Sequence, residues 1–140
     1  TDGVYDLWMH DSIEILAVKN HVLAQALKKT AITRDILTTT NYDSLIEQAI
    51  SAGSLTYKQP GKILEMLQKG EAGSVVHLHG MYSSVLCIND IIADKSQYQE
   101  IYNDEGAQFI QNLFGTSTLI FVGCGQTMED ENIYLYKAQY

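Results

Sequence analysis

Three β-branched or apolar runs each close on polar or glycine residues, and this recurrence limits the fold more than any other feature. "DILTTT" (35–40) leads into Asn41, "SVVHLHG" (74–80) ends in His79-Gly80, and "TSTLIFVGCG" (116–125) ends in Gly123-Cys124-Gly125. Runs rich in Val, Ile and Thr suit a pleated, half-buried or buried surface. The last is a continuous apolar run, the pattern of a strand covered on both faces.

Helical patterns separate these runs. "DSIEILAVKNHVLAQALKK" (11–29) reads as one amphipathic helix, with Asp11 and Glu14 as a capping box and Ile13, Leu16, Asn20, Leu23 and Leu27 at helical spacing. "SLIEQAISAG" (44–53) reads as a helix capped by Ser44, with Glu47 three residues on and Gly53 beyond its end. Pro60-Gly61 breaks the chain before the short helix "KILEMLQK" (62–69), which stops at Gly70. "SVLCI" (84–88) reads as a further short strand, and "SQYQEIY" (96–102) and "AQFIQNLF" (107–114) as helices. No low-complexity linker or internal repeat divides the 140 residues, so a single unit over 1–140 is expected.

Strands separated by helices predict an α/β domain, a mostly parallel sheet flanked by helices. Such sheets bind ligands beyond the carboxyl ends of their strands. Asn41, His79 and the Gly123–Gly125 turn would all lie on that edge.

Composition restricts what the edge could hold. A formal charge of −8 argues against a nucleic-acid surface, which must neutralise phosphates. It leaves a nucleotide open, because backbone amides at a helix terminus hold phosphates without net positive charge. Cys87 and Cys124 are too few for a disulfide framework or a four-cysteine zinc site, so a reducing, cytoplasmic setting is the simpler expectation. No apolar run approaches ~20 residues, so no membrane partner is expected. The start, "TDGVYDLWMHDS", lacks an initiating Met, a basic region and an apolar signal core. It reads as an excised beginning, which leaves room for upstream residues, fused domains or a homo-oligomer.

Each strand end has a structural and a functional reading. Asn41 and Asp43 could simply build a turn and a helix cap. With Ser44 already supplying a cap, the Asn41 amide has no obvious local duty, and a ligand contact stands equally beside the cap reading. His77 and His79, two apart, share a face of a strand and could bind a metal if other ligands joined them. His10 and His21 offer no matching motif, although carboxylate ligands stay open. The preferred reading has no metal: His79, released from the strand by Gly80, is the functional imidazole, suited to proton transfer near neutral pH, and His77 is structural. The glycines of "FVGCGQT" allow close backbone approach, either as a tight exit turn or beside a ligand. The acidic "MEDENI" after them suits ribose hydroxyls better than phosphates. Cys124 reads as a small residue rather than a nucleophile.

"TTTNYDSLIE", "VVHLHG" and "LIFVGCGQTMEDENI", in this order and spacing over residues 35–133, resemble the SIR2-like domain family. They are most similar to its zinc-free branch, found in bacterial antiphage-defence proteins, and "SQYQEIY" is similar to a tyrosine-containing helix of that branch. The resemblance implies a Rossmann-like α/β domain that binds NAD and cleaves its nicotinamide–ribose bond. By matching motif positions, His79 and Asn41 would be catalytic. Thr39, Thr40, Asn41, Asp43, Gly123, Cys124 and Gly125 would line the cofactor. Hydrolysis is expected over protein deacylation, because the deacylases' zinc-binding cysteine pairs are missing. The family's N-terminal glycine-rich loop finds no match, which implies an incomplete domain. It also keeps open a catalytically inactive nucleotide-sensing or interaction module. A metal-dependent hydrolase built on His77 and His79 is the remaining alternative.

Overall fold

The computed structural model describes residues 2–30, 35–70, 73–92, 97 and 104–122. Its centre is a three-stranded parallel sheet in the order β1-β3-β2, formed by Thr38–Thr39 (β1), Gly53–Thr56 (β2) and Ser74–His77 (β3). Helix α3 (Leu45–Ile50) connects β1 to β2, and α4 (Pro60–Lys69) connects β2 back to β3. Helices α1 (Asp2–Met9) and α2 (His21–Thr30) precede the sheet, and α5 (Glu105–Gly115) follows it. The architecture is α/β, as the sequence predicts.

The strand order fixes the layers. The chain crosses the sheet one way from β1 to β2, then returns to place β3 between them. Right-handed crossovers in opposite directions put their helices on opposite faces. Side-chain alternation along β3 agrees. Val76 and Leu78 join Leu55, Tyr57, Ile63, Ala107, Ile110 and Phe114 in the apolar core beneath α4 and α5. His77 instead meets Glu47 of α3, and α2 packs along α3 on that side. The central strand is therefore covered on both faces, with Val75, Val76 and His77 all buried.

Helix ends account for several departures from the expected pattern. The expected helix over 11–29 is two pieces, a π-helical turn His10–Glu14 and α2. Asn20 is not on an apolar face. Its side-chain oxygen accepts the Val22 and Leu23 amides, both at 3.1 Å, and starts α2. Glu14 does not close a capping box but accepts the Ser84 amide at 2.9 Å and the Val85 amide at 3.4 Å. That contact also explains the expected strand over 84–88. Tyr82–Ser83 (β4) and Ile88–Asn89 (β5) form an antiparallel hairpin, and residues 84–87 are its turn, with Cys87 at φ 52°.

Helix α3 ends at Ser51, in the left-handed region at φ 60°, so Gly53 opens β2 rather than closing the helix. Gly70, at φ 65°, ends α4 as predicted, whereas Pro60-Gly61, expected as a break before the helix, form its start. Asp104 caps α5 by accepting the Gly106 and Ala107 amides at 2.8 and 3.1 Å. Of the run 116–125, expected as the clearest strand, residues 118–122 do not join the described sheet and 123–125 lie outside the described residues. Leu119 packs against the core while Ile120 is 84% exposed. The expected helix over 96–102 lies outside the described residues except for the helical Gln97. Among the described residues, no helix is long and apolar enough to cross a membrane.

Two glycines allow close backbone contacts. Gly80 has φ 76°, and a Cβ there would overlap the Asp90 carbonyl; a Cβ at Gly106 would overlap the Tyr57 carbonyl. Gly80→Ala and Gly106→Ala should each lower the unfolding free energy by roughly 2–4 kcal/mol. Gly61→Ala, with nothing within 4 Å of its Cβ, should change it by less than about 1 kcal/mol. Equilibrium urea denaturation of the three variants checks this ranking.

Candidate functional site

The β1–β3 register builds the site. Thr39 is opposite His77, and the Leu78 amide donates to the Thr39 carbonyl at 2.9 Å. Two residues further along each parallel strand, Asn41 and His79 therefore emerge at the same sheet edge. The Thr39 hydroxyl accepts the Asn41 amide at 3.1 Å and turns the chain there. This leaves the Asn41 side chain exposed, Thr40 half-buried beside it, and His79 buried.

The two strand-end loops are tied through Ile92. The Tyr42 hydroxyl donates to the Ile92 carbonyl at 2.6 Å, and the Ile92 amide donates to the His79 carbonyl at 3.0 Å. The Tyr82 amide adds a bond to the Tyr42 carbonyl at 3.2 Å. Tyr42 and Ile92 were not singled out from the sequence. A tyrosine between Asn and Asp looks like loop filler until the remote carbonyl it reaches is known.

Beneath this edge, His77 is fully buried between two oxygens. Its Nδ1 lies 2.8 Å from the Asn41 carbonyl and its Nε2 lies 2.5 Å from Glu47 Oε1. The Ser54 hydroxyl donates to the same carboxylate oxygen at 2.9 Å. Glu47, read as a capping-box residue, is 5% exposed and serves this pair instead. The signal that could have found it is His77 itself, since a buried polar ring needs partners. Ser44 makes no side-chain cap bond; its hydroxyl accepts the Gln48 side-chain amide at 3.1 Å. Asp43 takes over near the helix start, accepting the Leu45 amide at 3.0 Å. The expected division of labour, in which Ser44 and Glu47 cap α3 and leave Asp43 free, is corrected accordingly.

Thr39, Thr40, Asn41, Asp43 and His79 thus gather at one edge. Gly123, Cys124 and Gly125 lie outside the described residues. Both ring nitrogens of His77 face protein oxygens, so it is not open to share a metal with His79. Among the described residues, no group of three or more His, Cys, Asp or Glu is placed to hold one.

Burial alone pushes the His77 pKa down. The hydrogen bond and charge of Glu47 outweigh it, helped by the Asn41 carbonyl and the Asp43 charge, and raise it above the ordinary 6.5. The native state then holds this proton more tightly than the unfolded chain. The resulting stabilisation is complete below pH 6.5 and is lost as pH rises through the higher folded value. Urea denaturation should show wild-type stability falling on that alkaline side. Glu47→Ala should lack this fall and lose about 3 kcal/mol or more at neutral pH, because it removes one partner of a buried pair.

Residues 35–139 match the family profile described as "SIR2-like domain". No solved structure matches the chain. The matched segment holds all three sheet strands and every residue of the strand-end site, and on that match the chain belongs to the SIR2-like domain family.

Proposed function

We propose that this domain binds NAD and hydrolyses its nicotinamide–ribose bond. The observation that carries the reading is the parallel β1–β3 register, which brings Asn41 and His79 to one edge in a chain of this family. SIR2-like domains in general bind NAD, and the described edge suits part of that molecule. It offers an exposed amide at Asn41, a carboxylate at Asp43 and hydroxyls at Thr39 and Thr40. These groups match sugar hydroxyls and a carboxamide.

The chemistry follows from these groups. Breaking the glycosidic bond builds positive charge on the ribose, which neutral dipoles and the Asp43 carboxylate stabilise. The Asn41 amide both donates and accepts, so it can orient a water and the sugar together. His79 accepts a proton from a ribose hydroxyl or from water as the bond opens. Hydrolysis is favoured over deacylation because the chain has two cysteines, not the paired set of a zinc-containing deacylase.

One observation favours a second reading, a nucleotide-binding module without turnover. The Thr39 hydroxyl and the Asp43 carboxylate already make local turn bonds to Asn41 and Leu45. Nicotinamide release from NAD by the full chain separates the two. The hydrolase reading expects release by wild type and a loss of roughly 10²-fold or more in His79→Ala and in Asn41→Ala. Equally slow release from all three proteins overturns it. Calorimetric binding of NAD and ADP-ribose without turnover then supports the module.

A further inference from the structure

The buried His77–Glu47 pair has no part in the chemistry just described, yet one of its two partners outside α3 is the peptide carbonyl of Asn41. We propose that His77 is a positioning residue: anchored on Glu47, it holds the Asn41 carbonyl through Nδ1–H and so fixes the loop that presents the Asn41 and Asp43 side chains beside His79. The kinetic consequence rests on the hydrolase reading. The structural consequence does not.

Proton counting supports it. A peptide carbonyl and an ionised carboxylate are both acceptors, and a neutral imidazole carries one N–H. The bonds at 2.8 Å and 2.5 Å coexist only when the pair holds one proton more than a carboxylate plus a neutral ring. When that proton leaves, the charged Glu47 retains the remaining N–H, because charge-assisted bonds are roughly twice as strong as neutral ones. A bare Nδ1 lone pair then faces the Asn41 carbonyl, and the peptide must move.

Among the described residues, the titratable groups acting on His77 come from α3 and from the loop after β1. Glu47 faces His77 from α3, and Asp43 acts from the loop after β1. Opposite His77 in the register stand Thr39 of β1 and Thr56 of β2, which do not titrate in this range. His79 lies two residues on in the same chain segment.

Glu47→Gln tests the idea sharply. A glutamine amide can donate to Nε2 of a neutral imidazole and also meet the Ser54 hydroxyl. Nδ1–H then stays on Asn41 without any ionisable partner. The pair's geometry should survive while its pH dependence disappears.

The experiment is a pH titration of the labelled full chain by NMR, following the Asn41 carbonyl carbon and the Tyr42 amide that shares its peptide group. Wild type should show one titration of both nuclei with a midpoint above 6.5, and Glu47→Gln should show none on that side. No titration in wild type, or the same titration in both proteins, overturns the proposal. In nicotinamide release, wild-type kcat should fall along an alkaline limb with the same midpoint, by up to about 10²-fold, a cost typical of ångström-scale misplacement. Glu47→Gln should lose that limb, and retention of the limb counts against the proposal. If wild type releases no nicotinamide at any pH, the hydrolase reading falls, and the NMR titration alone decides the positioning role.

Discussion

At the centre of the sheet, an imidazole and a carboxylate share a space that water does not reach. The cost of burying them is offset only if their bonds are complete, and those bonds join four parts of the chain: α3, β3, β2 and the loop after β1. The pair therefore couples packing to loop geometry. An apolar pair of similar volume could fill the same space, but it would leave the Asn41 carbonyl without its donor.

The two faces of the sheet differ for this reason. Beneath α4 and α5, apolar side chains pack into one core cluster. Toward α3, fixed hydrogen bonds decide the arrangement, and they lie directly below the edge that carries Asn41 and His79. The same alternation along β3 that sends Val76 into the core sends His77 to the polar side. Four residues of one strand thus serve both stability and site geometry.

The parallel α/β plan and the clustering of Asn41 and His79 were legible because they depend on pattern: β-branched runs, helical spacing and polar strand ends. The end of helix α4 was legible because Gly70 acts locally. The misreadings occur where a distant partner overrides a local signal. Gly53 resembles a helix stop, yet β2 forms because β3 offers it a ladder. Glu47 and Glu14 both occupy capping-box positions, yet one is drawn to His77 and the other to the Ser84 and Val85 amides.

The tie at Ile92 differs in kind from the rest of the site. It receives the Tyr42 hydroxyl on its carbonyl and gives its amide to His79, both through main-chain atoms. Its side chain serves only the core, so apolar residues can replace one another there through evolutionary drift without loosening the two loops. Proline is the exception, since it has no amide hydrogen. The link between the two halves of the site thus runs through backbone atoms at Ile92 and His79 and through a particular side chain at Tyr42.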